Sequence, residues 1–192
     1  MNEAKQDFSM EKNAMDMAKT NSFDTKRLKV RLMTRDEWKN FVDHVVKADE
    51  VYDTFACEAD EEFFELVEKT NFNIAINYSV ILSDTDEMIG YVGLCVDEDC
   101  PDNNHISYYT FKDHRRKGYA YEAVCEFMQK ILDGGIIERD INELFAWTIW
   151  GNTSSSDLLE KLGFHGLGYR IYDDGTIMHC YSYEPAKLEE TA

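Results

Sequence analysis

The sequence has no pair of cysteines at C-x-x-C spacing and no apolar run near the ~20 residues that a membrane span needs. Its five cysteines, Cys57, Cys95, Cys100, Cys125 and Cys180, are odd in number. Neither a disulfide framework nor a zinc site is indicated, no metal is expected, and a reducing compartment fits. The opening stretch MNEAKQDFSMEKNAMDMAKTNSFD lacks the apolar segment of a secretory signal, so a cytoplasmic protein is the expectation. Positive charge is also scarce: 20 Lys and Arg stand against 38 Asp and Glu, a formal charge of −18. Nucleic acid and anionic membranes both reward a basic surface, so neither is an expected partner. The acidity suits a cationic partner such as an amine or a basic peptide, or it serves solubility alone.

What is present is enough to fold. With 192 residues, 44% of them hydrophobic and 13% aromatic, the chain can bury the core of one ordinary domain. Residues 1–24 are polar and Met-rich without a sustained apolar face, and read as a loose extension ahead of a domain spanning 25–192. RLKVRLMT (27–34) alternates Leu28, Val30 and Leu32 against Lys29, Arg31 and Met33, the period of a half-buried strand. Thr34 and Glu37 form a T-x-x-E capping box, and Trp38, Phe41, Val42, Val45 and Val46 follow at helical spacing. EADEEFFELVEK (58–69) reads as a second helix. FNIAINYSVIL (72–82), MIGYVGLCV (88–96) and HISYYTF (105–111) read as strands, with an acidic loop before the third.

A helix is expected beyond Gly118, where Ala120, Ala123, Val124, Phe127, Met128, Ile131 and Leu132 form an apolar stripe that Gly134 and Gly135 end. ELFAWTIW (143–150) reads as a strand, SSDLLEKLGF as a short helix, and residues 168–184 as a hairpin turning at Asp173–Gly175. Two early helices and later single helical crossovers imply a mixed α/β sheet in one domain.

On this acidic chain, FKDHRRKGYAYEAV (111–124) gathers Lys112, Arg115, Arg116 and Lys117 just before a glycine and a helix start. The first N–H groups of a helix lack backbone partners, and with the helix dipole they favour an anion. Gly118 permits close approach or an unusual φ, and the small Ala120 lets a ligand lie on the first turn. Arg and Lys beside such a turn suit phosphate oxygens; a merely solvated basic patch is the plainer alternative. Neither G-x-x-x-x-G-K-[ST] nor a G-x-G-x-x-G after a strand is present.

RRKGYA resembles the R/Q-x-x-G-x-G/A pyrophosphate motif of the GNAT N-acetyltransferases, with Arg115, Gly118 and Ala120 on the pattern positions. TKRLKVRLMTRDEW is similar to that family's opening strand and helix. GNTSSSDLLEKLGF (151–164) resembles its N-x-x-S-x-x-L-L-E-K-L-G-F segment, so the likeness covers roughly residues 25–184. The nearest branch is the one resembling ribosomal-protein N-terminal acetyltransferases. The resemblance implies an α/β (α+β) fold whose mixed sheet is splayed open at its centre and flanked by helices, with acetyl-CoA in the gap as cosubstrate. It implies that Tyr109, Thr110 and Phe111 run beside the pantetheine arm. Arg115, Arg116, Lys117, Gly118, Tyr119 and Ala120 would hold the pyrophosphate, and Asn152 and Ser155 would reach the cofactor from the next crossover.

The activity so implied is acetyl transfer to a primary amine, a peptide N-terminus or a cationic small molecule, and a homodimer is an allowed assembly. Such transfer needs a neutral amine, a polarised thioester and a proton for the thiolate. His105, where many relatives carry glutamate, is the candidate base; a solvent-facing histidine at a strand end is the alternative, as Asp97, Glu98 and Asp99 are nearby competitors. Ser155 is the candidate donor, against ordinary helix-start hydrogen bonding. Leu159 stands where other members place a tyrosine donor, so that version is excluded. Tyr172 and Tyr181 could line the acceptor pocket or pack, and His114 flanks the phosphates or faces water. A noncatalytic acyl-CoA-binding or regulatory protein, and an interaction module using the acidic surface, are the competing classes.

Overall fold

The computed structural model describes residues 14–55, 75–96 and 104–185. The helix expected over 58–69 and the acidic loop at Asp97, Glu98 and Asp99 lie outside the described residues, as do residues 1–13. A turn of 3-10 helix (Ala14–Met17) precedes strands β1 (Ser22–Asp24) and β2 (Leu28–Leu32). Helices α1 (Arg35–Lys47) and α2 (Val51–Phe55) follow, then β3 (Ala75–Leu82), β4 (Met88–Cys95) and β5 (Ile106–Thr110). Helix α3 (Tyr119–Leu132) leads to β6 (Leu144–Ile149), α4 (Thr153–Lys161), β7 (His165–Ile171) and β8 (Ile177–Tyr183).

The strands form two antiparallel sheets, a five-stranded one in the order β1-β2-β3-β4-β5 and a three-stranded one in the order β6-β8-β7. A single parallel bridge between His105 and Phe145 joins them. Beyond that bridge β5 and β6 part. The mixed, centrally splayed sheet implied by the sequence is therefore present, its parallel character confined to one point.

Local chemistry explains the elements. In β2, Leu28 and Val30 are buried while Lys29 and Arg31 are exposed, as alternation requires. At the start of α1, Thr34 Oγ1 accepts from Glu37 N–H at 3.2 Å and Thr34 N–H donates to Glu37 Oε2 at 3.0 Å, completing the capping box. Glu37 also takes both Nη groups of Arg31 and the hydroxyl of Ser79 at 3.2 Å. Burial alone would raise its carboxyl; together these donors hold it below the usual carboxylate range. Trp38, Phe41, Val42 and Val45 of α1 pack with Tyr91 over one face of the first sheet. Val124, Phe127, Met128 and Ile131 of α3 pack with Ile76, Tyr78, Val80 and Leu94 over the other.

Residues 14–24 are less loose than their composition suggests. Ala14 is fully buried, and β1 pairs with β2 through Phe23↔Val30. Phe23 stacks on Phe127 at 6.4 Å, Tyr78 donates its hydroxyl to Thr20 O at 2.6 Å, and Lys19 N–H reaches Ile136 O at 2.9 Å. Residues 14–24 are thus fastened to the sheet and to the loop after α3. Phe23→Ala is expected to cost about 3 kcal/mol of unfolding free energy in urea, as for a buried aromatic. Thr34→Ala is expected to cost about 1 kcal/mol through the lost cap. A Phe23→Ala effect smaller than that of Thr34→Ala would mean that β1 is not part of the cooperative fold.

Candidate active site

The parting of β5 and β6 opens a slot of about 1300 Å³ that runs through the sheet. Side-chain alternation gives it two different mouths. Ile106 and Tyr108 share the α3 core, whereas Tyr109 and Phe111 pack with Phe41 on the α1 side. Trp147, which meets His105, therefore shares the α1-side mouth with Ser107 and Tyr91, and α4 contributes Ser155 to the other. Gly90 makes the close pairing of β4 and β5 feasible beside the slot: a Cβ there would lie 2.0 Å from Tyr109 O.

At the α3-side mouth the basic turn leads into the N-terminus of α3. Gly118 caps α3 with φ +82°, and Arg116 also lies in the left-handed region at +62°. Glu122 N–H already turns back to Gly118 O at 3.1 Å, so Tyr119, Ala120 and Tyr121 carry the first N–H groups that lack helical partners. Arg116, Gly118, Tyr119 and Ala120 line the slot, and Lys117 lies on the exposed outer side of the turn.

A cation that sequence reading missed sits against them. Arg27 donates Nη1 to Lys117 O at 3.0 Å, covers the Tyr119 ring at 4.5 Å and pairs with Glu122 at 2.6 Å. Thr25 donates to the same Glu122 carboxylate at 2.6 Å. Glu122 would oppose an anion in the first turn; here its charge is answered by Arg27. No local pattern announces this contact, since the partners are 95 positions apart.

Other expected cofactor contacts differ from the sequence reading. Phe111 N–H donates to Ile89 O at 2.8 Å and its ring stacks on Phe41, so Phe111 belongs to the α1 core. By the alternation of an antiparallel ladder, the N–H groups of Tyr108 and Thr110, not those of Tyr109 and Phe111, face away from β4 into the slot. Arg115 turns its guanidinium to Glu50 at 2.5 and 3.1 Å and donates Nε to Thr110 O at 2.8 Å, rather than extending over the turn. Asn152 lines the slot, and its side-chain oxygen caps α4 by accepting from Ser155 N–H at 3.2 Å. His114 lines the same mouth and pairs with Glu87 at 3.2 Å. Tyr172 is exposed, and Tyr181 is buried against His179 at 2.7 Å.

Inside the slot, Ser155 Oγ and Tyr108 Oη lie 2.8 Å apart, a hydroxyl pair bridging β5 and α4. Burial pushes the Tyr108 phenol up to about 12, so it keeps its proton throughout the neutral range. Tyr108 was not singled out from the sequence, where it is one aromatic among three.

His105 is placed less favourably for its expected role. Burial drops its pKa to about 4, and its Nε2 accepts the Trp147 indole N–H. The ring is neutral at pH 7, but the nitrogen that could take a proton is occupied and weakly basic. His105 thus stands at the junction of the two sheets with Nε2 engaged by Trp147.

Among the described residues no group of three or more His, Cys, Asp or Glu side chains could hold a metal ion. No described helix is long and apolar enough to cross a membrane.

A sheet split by a slot, with a basic turn at a helix N-terminus on one side, is the geometry of this site. The chain belongs to the GNAT acetyltransferase domain family, which it matches over residues 21–165. It is 32% identical over 118 residues to the uncharacterized N-acetyltransferase p20 of Bacillus licheniformis, covering 60% of this chain and 64% of that protein. The chain thus matches a little under two thirds of that relative's length. Its fold is similar to that of a GNAT-family acetyltransferase from Bacillus anthracis, with a TM-score of 0.67 at 18% identity over 85% of this chain and 98% of that one. It is also similar to that of the ribosomal L7/L12 alpha-N-protein acetyltransferase RimL in complex with coenzyme A. That comparison has a TM-score of 0.64 at 14% identity, over 83% of this chain and 95% of that one.

The placement of His105 has a pH consequence. In the unfolded chain it takes up a proton near pH 6.5; in the folded protein it does so only near 4. Unfolding therefore gains a proton between these values, and the contribution of His105 to stability, full above pH 6.5, falls as the pH drops towards 4. His105→Gln removes this dependence, so the parent's melting temperature relative to the variant's should fall as pH is lowered from 7 to 4. A constant difference across that range would show that the ring is not held neutral by the fold.

Proposed function

We propose that this protein is an N-acetyltransferase that moves an acetyl group from acetyl-CoA to a primary amine by direct attack. The observation that carries this reading is the through-going slot, with an anion cradle at one mouth and aromatic side chains at the other. Acetyl-CoA would lie with its pyrophosphate against the amides of residues 116–120, helped by the Arg27 charge, and its pantetheine arm beside Tyr108 and Thr110. The amine would enter from the α1 side, between α2 and β6. Direct attack breaks the thioester C–S bond and forms a C–N bond; the proton lost by nitrogen balances the one gained by sulfur.

Ser155 and Tyr108 are the groups placed to serve the departing sulfur. With the phenol as donor, the Ser155 hydroxyl would pass its hydrogen to the thiolate and take the phenol's in turn. The phenol would regain a proton from the water that receives the one lost by the amine. With His105 neutral and engaged, the amine's proton leaves through water, and the neutral fraction of the amine limits the rate at low pH. The acceptor class the chain favours is a cationic amine or a protein N-terminus, in keeping with the charge of −18. A noncatalytic acyl-CoA-binding role is the second reading, favoured by the occupied His105 nitrogen.

Release of free CoA thiol with a panel of amines and N-terminal peptides tests the first reading. Thiol release with at least one acceptor is expected; calorimetric acetyl-CoA binding without release by any of them would favour the second. Gly118→Glu should abolish acetyl-CoA binding, because the residue needs a positive φ and the new side chain would start 3.4 Å from the Arg27 guanidinium and add negative charge beside the turn. Ser155→Ala and Tyr108→Phe should each lower kcat by about 10²-fold with little change in acetyl-CoA affinity. Near-parental kcat in both, with chemistry limiting turnover, would remove the hydroxyl pair from the mechanism.

A further inference from the structure

The transfer chemistry leaves one built feature of the α1-side mouth unused. Glu50 occupies the corner between α1 and α2. Asp49 before it has φ +56°, and Glu50 N–H bonds back to Val45 O at 3.0 Å, so the chain turns sharply and directs the carboxylate inwards. That side chain keeps only 12% of its surface exposed. Its Oε1 accepts from Arg115 Nη1 at 3.1 Å, and its Oε2 accepts from Arg115 Nη2 at 2.5 Å and from the Tyr109 hydroxyl. Lys112 adds a further positive charge nearby. Among the described residues lining the slot, the one other acid is Asp157, on α4.

Arg115 therefore stands between two sites. Its guanidinium neutralises Glu50, yet it is 41% exposed, lines the slot and directly precedes the turn that forms the anion cradle. We propose that Arg115 is a shared cation and that Glu50, which it masks, is the carboxylate that recognises a cationic group of the acceptor other than the amine that attacks. This rests on the acetyltransferase reading above. A diphosphate seated against residues 116–120 competes for the guanidinium and leaves Glu50 less compensated. A partly buried carboxylate without its counter-ion is costly, so it draws in another cation. Phe55, Tyr91 and Trp147 line the same mouth with aromatic surface that also suits an ammonium. Cofactor and cationic acceptor then assist each other's binding, and the assistance must be reciprocal.

Calorimetric titration with CoA of the parent, Glu50→Gln, Arg115→Gln and the double variant tests this. Glu50→Gln frees Arg115 for the diphosphate and should tighten CoA binding roughly three- to tenfold, while the same change in the Arg115→Gln background should alter it by less than about twofold. Equal tightening in both backgrounds would reflect loss of an acidic charge alone and overturn the shared cation, as would unchanged or weaker binding. If Glu50→Gln does not fold, Glu50→Asp, which retracts the carboxylate from Arg115, should tighten CoA in the same direction. For a cationic amine found in the panel, Glu50→Gln should raise KM about tenfold with kcat changed less than about threefold; an unchanged KM would overturn the acceptor role. A parent that binds no CoA would instead refute the acetyltransferase reading, and the proposal would fall with it.

Discussion

Among the described residues the two sheets are joined by one isolated backbone bridge, and the site depends on it. At His105 and Phe145 the strands β5 and β6 are bridged; a few residues further on they have separated enough to admit a ligand. An edge between parting strands presents backbone donors and acceptors that a continuous sheet would consume. Two features of the site follow from that loss of pairing: the backbone of Tyr108 and Thr110 turned away from β4, and the hydroxyl pair between Tyr108 and Ser155. The junction must resist spreading further, and a buried, neutral histidine held by an indole N–H suits that task better than a titrating one.

The second theme is how an acidic chain arranges positive charge around the basic turn. Two of the arginines beside that turn are held in ion pairs. Arg27 is tied to Glu122, and Arg115 is tied to Glu50. Backbone N–H groups and the Arg116 and Lys117 side chains add positive potential beside these neutral pairs. The Arg27 contact with Lys117 O also tethers the turn, in which both Arg116 and Gly118 adopt positive φ.

Much of this was legible in the sequence because it is local. The alternation of Leu28 and Val30, the Thr34–Glu37 box, the apolar stripe of α3 and the basic run before Gly118 each sit within a few residues of one another. What was missed is either tertiary or a matter of parity. β1 is three residues long with Phe23 as its single apolar anchor, too short to show a period. Arg27 and Glu50 reach the site from elements far off in the chain. Phe111 was placed on the cofactor side because a motif marks the strand but not which way its N–H groups point. Tyr108, one position along the alternation from Tyr109, faces the slot instead.

The fastening of β1 decides which strand forms the edge of the first sheet. β2 is paired with β3 on one side and with β1 on the other. A chain cut at the boundary suggested by composition, near residue 25, would keep every residue of the slot yet strip the cover from β2. LKVRL would become an open strand edge bearing unpaired backbone groups, an invitation to pair with the same edge of another molecule. Two charges, Lys29 and Arg31, would remain as partial protection, and both already have acidic partners in Asp86 and Glu37. The short N-terminal strand thus guards against self-association as much as it adds to the core.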